Sequence, residues 1–184
     1  MHGHKPIVER VIITPNPIAD LYNTFSGYGY RLATAESCTG GLVGGLLTSQ
    51  PGISSVYAGG FVTYTNQMKI DLLGVDPLAI EEYTEVSARV AEQMACGARE
   101  RTGADVAISL TGVAGPGGGS EKTPVGTVYI GVSSPSHTYA VRYCMPEYLP
   151  RFEIRSRAAL LAITLATREA KNYHMNCQNF GQNS

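Results

Sequence analysis

The sequence predicts an α/β protein, a three-layer α/β/α sandwich built on a mixed, mainly parallel sheet. Short apolar strands alternate with helices through the first two-thirds of the chain, which is typical of parallel strands covered on both faces. Two strand-like segments then follow each other through Ser134-Pro135-Ser136 and favour an antiparallel hairpin at one side of the sheet. A long amphipathic helix closes the 184-residue chain.

The elements of the first half are set by glycine, proline and helix caps. Residues 1–17 hold three prolines and predict an irregular lead-in. Gly27 and Gly29 end a first helix, Pro51-Gly52 ends a second, and Thr65 or Asn66 caps a third. The predicted elements are helix 18–27, strand 31–36, helix 40–49, strand 56–65 and helix 66–73.

The second half follows the same signals. A short helix follows Asp76-Pro77, because proline is favoured in the first turn of a helix. Ser87 caps helix 88–102, in which apolar residues recur at i, i+4 and i+8. The remaining predicted elements are strands 105–111, 125–133 and 138–145, and a helix over 151–173 that buries Ile154, Ala158, Leu161 and Leu165.

Length and composition indicate one domain over residues 18–175, followed by a polar, frayed tail at 176–184. The most apolar stretch, 158–166, is far shorter than the ~20 residues of a membrane span, and no signal peptide is visible, so we expect a cytoplasmic protein. The net charge of −1, with no basic run, argues against nucleic-acid binding. The charge pattern of Arg151, Arg155 and Arg157 indicates a solvated helix face. Cysteines and histidines are scattered, so neither a metal site nor a disulfide framework is expected.

Three segments combine a strand end with a polar or glycine-rich turn, where ligands bind in α/β sheets. In the first, Ser37-Cys38-Thr39 precedes Gly40-Gly41 at a helix start. Free N–H groups there favour an anion, such as a phosphate or a developing oxyanion. In the alternative interpretation, Ser37 or Thr39 only caps the helix and Cys38 is a small buried apolar residue.

The second segment, 63–69, supplies a candidate base. A neutral lysine can remove the proton of a serine nucleophile, and Lys69 lies in the first turn of its helix, where the dipole disfavours positive charge. Tyr64 at the strand end could relay a proton or orient a substrate. On the sequence alone, an exposed surface lysine is the more common interpretation.

The third segment, 111–119, is a glycine-rich loop. It lacks the spacing of a nucleoside-triphosphate P-loop, and a strand rather than a helix follows it. Close approach of its main chain to a substrate fits better, with a flexible connector as the alternative.

The residues Ala35-Glu-Ser-Cys-Thr-Gly-Gly41, Gly60-Phe-Val-Thr-Tyr-Thr-Asn66, the loop 111–119 and Pro124-Val-Gly-Thr-Val128 together resemble the CinA C-terminal family over roughly 21–165. The resemblance implies deamidation of nicotinamide mononucleotide to nicotinate mononucleotide and ammonia, a step of pyridine nucleotide salvage. It also implies a homo-oligomer and no cofactor. It makes Ser37 the nucleophile, Lys69 its base and Tyr64 a partner in proton transfer. The substrate-binding residues that it implies are Thr39, Gly40, Gly41, Thr111, Gly112, Gly115, Gly117, Gly118 and Arg151.

The chain departs from the family pattern at several positions. Residues 147–151 lack the Gly-Asp that precedes the family's arginine, and Thr84-Glu85 stands where Gly-Ala is commoner. An N-terminal domain found in larger CinA proteins is not seen, so its pyrophosphatase activity is not assigned. The alternative function is a non-catalytic accessory protein in competence or the response to DNA damage.

Overall fold

The computed structural model describes residues 12–181, and its centre is a five-stranded mixed sheet. The strands are β1 (Leu32–Glu36), β2 (Tyr57–Val62), β3 (Val106–Gly112), β4 (Thr127–Ser133) and β5 (Thr138–Cys144), in the spatial order β2-β1-β3-β4-β5. β1 pairs in parallel with β2 and β3, whereas β4 is antiparallel to both β3 and β5. The predicted α/β fold with a mixed sheet is therefore confirmed, including the hairpin of β4 and β5.

Six α-helices accompany the sheet. They are α1 (Pro17–Tyr28), α2 (Leu42–Thr48), α3 (Asn66–Leu73), α4 (Pro77–Tyr83), α5 (Ala88–Thr102) and α6 (Arg151–Gly181). α1, α2 and α6 contribute to one apolar core, and α3 and α5 contribute to another on the other sheet face. None of the helices in the described part of the chain is long and apolar enough to cross a membrane.

The bounds of α3 and α5 agree with the prediction residue for residue, because a side-chain cap fixes each start. Thr65 Oγ1 accepts from Met68 N, and Ser87 Oγ accepts from Val90 N. α2 begins at Leu42 rather than at residue 40, because Gly40 and Gly41 take left-handed φ values of 60° and 94°. β2 ends at Val62, three residues before the predicted end at 65.

The last helix was predicted to end at residue 173, and this end is wrong, because α6 continues to Gly181. Residues 176–181 are thus helical rather than frayed. The predicted lead-in over 1–17 falls mostly outside the described residues, as do positions 182–184 of the tail. Within the described part, Pro17 is already the first residue of α1.

Helix α5 lies very close to its neighbours. Ser109 Oγ, on β3, donates to Ala91 O at 2.6 Å. A Cβ at Gly97 would lie 2.0 Å from Leu73 O in α3, and one at Gly131 would lie 2.2 Å from Ala91 O. These glycines therefore set the distance of α5 from α3 and from the sheet.

Candidate active site

The site lies where β1 and β3 end, next to the segment that follows β2. Ser37 immediately follows β1, and its N–H donates to Leu110 O at 2.9 Å, which extends the β1–β3 ladder by one bond. Thr63 follows β2 and donates its N–H to Glu36 O at 2.8 Å. The carboxyl ends of β1 and β2 are thereby tied together, and this brings Ser37 to the helix that carries Lys69.

Lys69 and Ser37 form the centre of the site. Lys69 Nζ lies 3.2 Å from Ser37 Oγ and 3.2 Å from Thr63 O. The lysine is 1% exposed and the serine 8% exposed, so the pair is largely shielded from solvent. An exposed surface lysine, the commoner interpretation from the sequence alone, is therefore wrong here.

Burial is the main cause that lowers the pKa of Lys69 below its ordinary value of 10.5. The charge of Glu85 acts in the opposite direction and raises that pKa to a smaller extent. A lysine whose pKa is lowered is neutral in a larger fraction of molecules, and only the neutral amine can accept the Ser37 proton. The pair thus has the chemistry of a nucleophile with its base.

Cys38 lines the same cleft but does not have an activated thiol. Burial raises the pKa of the Cys38 thiol to about 12, so that it remains protonated at neutral pH. Lys69 Nζ contacts Ser37 Oγ, with no hydrogen bond to Cys38 Sγ in the described residues. The geometry thus favours Ser37 over Cys38 as the attacking atom.

The start of α2 is occupied by a carboxylate of the chain itself. Glu36 Oε2 accepts from Gly41 N and Val43 N, both at 3.0 Å, and Glu36 Oε1 accepts from Gly44 N at 2.9 Å. Gly40 N donates to Ser37 O in a turn. The prediction that the N–H groups of residues 38–41 are free for an anion is therefore wrong for Gly40 and Gly41, whereas those of Cys38 and Thr39 donate to no group in the described residues. The sequence reasoning missed Glu36, although a carboxylate placed just before a glycine-rich helix start was a usable signal.

The cleft beside Ser37 has a volume of about 270 Å³. The described residues that line it include Ser37, Cys38, Tyr64, Lys69, Glu85, Thr111, Gly112, Gly115, Gly117, Gly118 and Arg151. Of the predicted substrate-binding residues, Thr111 and Gly112 at the end of β3, the three glycines of the loop that follows, and Arg151 thus lie at the cleft. Thr39, Gly40 and Gly41 are not among its lining residues, and Thr39 is fully buried.

Tyr64 lies at the rim of the cleft and is 61% exposed. Arg151 Nη2 donates to the Tyr64 hydroxyl at 3.4 Å, and Arg151 Nη1 donates to Gly115 O at 2.7 Å. Tyr64 therefore lines the same cleft as Ser37 and Lys69, and its hydrogen-bond partner in the described residues is Arg151. A part for Tyr64 in proton transfer stays a prediction.

Of the three arginines at the start of α6, Arg151 lines the cleft, whereas Arg155 contacts Thr39 outside the cleft lining. Arg151 also lines an adjoining cavity of about 330 Å³, and Arg155 Nη2 donates to Thr39 O at 2.5 Å. Arg157 instead pairs with Glu153 on the surface at 3.0 Å. The interpretation as a solvated face is thus correct for Arg157. Arg151 is also exposed but donates to Gly115 O, and Arg155 is partly buried against Thr39 O. The sequence reasoning missed Arg155, because helical periodicity shows which residues share a face but not what that face meets.

No group of three or more histidine, cysteine or acidic side chains in residues 12–181 is arranged to hold a metal ion. The four cysteines are unpaired thiols, and two of them, Cys38 and Cys96, are at least partly buried.

Comparison with known proteins agrees with the motifs. The model of the CinA C-terminal domain family matches residues 18–170. The chain belongs to the CinA C-terminal domain family. A CinA-like protein from Mycobacterium avium is 48% identical over 149 residues, which cover 76% of this chain and 33% of the relative. One from Synechocystis is 56% identical over 107 residues, covering 58% of this chain and 26% of the relative. The chain thus spans about a quarter to a third of the length of the curated relatives it matches.

Solved structures of this family share the fold. The competence damage-inducible protein A from Klebsiella pneumoniae superposes with a TM-score of 0.79 at 30% identity, covering 83% of this chain and 94% of that one. The competence/damage inducible protein from Agrobacterium tumefaciens gives a TM-score of 0.75 at 36% identity, covering 87% and 96%. These names concern competence and damage induction in those proteins and state no reaction.

Proposed function

We propose that this chain is an amidohydrolase that converts nicotinamide mononucleotide to nicotinate mononucleotide and ammonia. The observation that carries the proposal is the buried pair of Ser37 Oγ and Lys69 Nζ at 3.2 Å, beside a cleft with a glycine-rich wall. The family resemblance supplies the substrate, and the geometry supplies a nucleophile and a base suited to acyl transfer.

The reaction proceeds in two steps. Neutral Lys69 takes the Ser37 proton while Ser37 Oγ attacks the carboxamide carbon. The tetrahedral intermediate then collapses, the carbon–nitrogen bond breaks, and Lys69 returns the proton to the departing nitrogen, which leaves as ammonia. Water next attacks the acyl-enzyme and gives one proton to Lys69, which passes it to Ser37 Oγ as the bond between the acyl carbon and Ser37 Oγ breaks. The carboxylic acid so formed loses its remaining proton to solvent and leaves as the carboxylate.

The oxyanion requires donors other than Gly40 and Gly41, whose N–H groups are already used. Within the described chain, the N–H groups of Cys38, Gly115, Gly117 and Gly118 donate to no other group, and all four residues line the cleft. We assign the oxyanion contact to the N–H groups of Cys38 and of this loop, and each well-placed donor of this kind contributes about 3–4 kcal/mol in known enzymes. Arg151 is the candidate for the substrate phosphate, because its guanidinium keeps further N–H donors beyond the two contacts described.

The test is ammonia release from nicotinamide mononucleotide by the purified protein. We expect Ser37→Ala to remove turnover and Ser49→Ala, which changes an exposed serine just after α2, to leave it unchanged. Activity of Ser37→Ala equal to that of the wild type would remove Ser37 from its role. A folded wild-type protein that releases no ammonia from any pyridine nucleotide would favour the non-catalytic accessory alternative.

A further inference from the structure

Glu85 is an acidic side chain in the lining of the cleft, and the proposed reaction leaves it without a role. It lies in the connection between α4 and α5, is solvent-exposed, and shares the lining with Lys69 and Thr111. Within residues 12–181, its carboxylate makes no hydrogen bond and no ion pair shorter than 4.0 Å. The Glu85 carboxylate is therefore available to a ligand in the cleft.

The backbone that carries Glu85 is held firmly. Thr111 Oγ1 donates to Glu85 O at 2.6 Å, and Ser87 Oγ donates to Thr84 O at 2.9 Å. Thr84 has φ 67° and ψ 164°, a region that is populated almost only by glycine. Strain of this kind persists only where the surroundings enforce it, and it is concentrated at ligand sites. The connection thus presents Glu85 to the cleft from a fixed position.

The charges of the cleft lining are divided between different elements. Arg151, at the start of α6, contacts Tyr64 and Gly115, whereas Glu85 lies where its charge acts on buried Lys69. A ligand that carries an anionic group and a separate cationic group matches this division. An N-alkylated pyridinium carboxamide with a phosphate has both, because its ring is positive and its phosphate negative.

We propose that Glu85 determines specificity by favouring substrates whose carboxamide is attached to a cationic ring. The carboxylate contacts the positive ring while the carboxamide lies at Ser37. Neutral aromatic amides of the same shape lack this attraction and bind less tightly. This inference rests on the proposed function, but it concerns ring charge, which can be measured by binding without turnover.

The experiment compares two ligands that share ribose, phosphate and carboxamide. Nicotinamide mononucleotide has a cationic ring, and its reduced form has an uncharged dihydropyridine ring. Titration calorimetry with Ser37→Ala avoids turnover of the oxidised ligand. We expect this variant to bind the oxidised form about tenfold more tightly than the reduced form, which corresponds to one charge contact in a partly solvated site.

Adding Glu85→Gln should reduce this ratio to about twofold or less, chiefly by weakening binding of the oxidised form. The matched control is Glu81→Gln, an exposed carboxylate of α4 outside the cleft lining, which should leave the ratio unchanged. Comparing the ratio between variants cancels the intrinsic difference between the two ligands. Thermal unfolding of each variant confirms that the fold is kept.

An unchanged ratio in Glu85→Gln, an equal loss for both ligands, or no binding of either ligand would overturn the inference. The proposed function is tested separately by ammonia release from the wild type. Ammonia release with an unchanged ratio refutes the role of Glu85 alone. A ratio that falls in a protein without deamidase activity refutes the proposed reaction and supports the selection of a cationic ring.

Discussion

Replacing Glu36 by glutamine tests whether a carboxylate of the chain holds the start of α2. Glu36 is 2% exposed and accepts three main-chain N–H bonds, two on Oε2 and one on Oε1. A glutamine oxygen can keep two of these bonds, but its NH2 group must then face the third N–H. One charge-assisted bond is lost outright, at about 1.5–3 kcal/mol, and the other two become neutral and weaker.

Glu36→Gln also removes a charge that complements the helix dipole, which contributes about 0.3–1 kcal/mol. Together with the lost and weakened hydrogen bonds, we expect this to lower the free energy of unfolding by about 3–5 kcal/mol. That is a large fraction of the ~5–15 kcal/mol of a typical domain. Urea-induced unfolding followed by circular dichroism measures the difference. Faster hydrogen exchange at the amides of Gly41, Val43 and Gly44 would locate the effect.

The control is Glu153→Gln, which removes a carboxylate from a surface pair with Arg157. An exposed i,i+4 pair contributes about 0.3–0.5 kcal/mol, so this variant should barely change stability. If Glu36→Gln costs less than about 1 kcal/mol, the three bonds do not hold α2, and the reasoning fails.

Three further predictions concern the site and its surroundings. Because the pKa of Lys69 is lowered, kcat/KM for ammonia release should rise with pH, and the midpoint of this rise should lie below pH 10.5. Lys69→Arg stays protonated and should be inactive at every pH. A midpoint at or above 10.5 would contradict neutral Lys69 as the base. Burial keeps the Cys38 thiol protonated, so Cys38→Ala should keep at least about half of the wild-type kcat. For the same reason iodoacetamide should label Cys38 more slowly than exposed Cys144 at pH 7.5, as measured by peptide mass spectrometry. Faster labelling of Cys38 would show an activated thiol. Thr84→Gly relieves backbone strain of about 1–3 kcal/mol, and the greater backbone entropy of glycine in the unfolded chain offsets part of this gain. The free energy of unfolding, measured in urea, should therefore rise by up to about 2 kcal/mol. Thr84→Ala keeps a Cβ and should give no gain.

Helix bounds could be predicted from the sequence wherever a local side chain fixes them. Ser87 and Thr65 cap their helices with their own hydroxyls and fix the starts of α5 and α3, whereas Gly103 and Gly74 end these helices in the left-handed conformation. The end of α6 lacked such a signal, because no glycine or proline interrupts residues 174–180. The predicted end of that helix was therefore too early.

The site was predictable only as far as topology and motif allow. Ser37, Lys69 and the loop after β3 converge because neighbouring parallel strands end at the same sheet edge. Glu36, Arg155 and Glu85 depend on side-chain directions and on contacts between distant segments, such as Arg155 with Thr39. No periodicity in the sequence encodes those contacts, so they became visible only in three dimensions.

The close contact between Gly97 of α5 and Leu73 O of α3 has a consequence for how the site tolerates change. Ser37 is anchored to the sheet, while Lys69 belongs to the helix that rests on Gly97. The distance between Ser37 Oγ and Lys69 Nζ therefore depends on how closely α3 packs against α5. A methyl group added at Gly97 would push α3 away from α5. The displacement would then change the hydrogen bond between Lys69 and Ser37, although neither residue touches the added group.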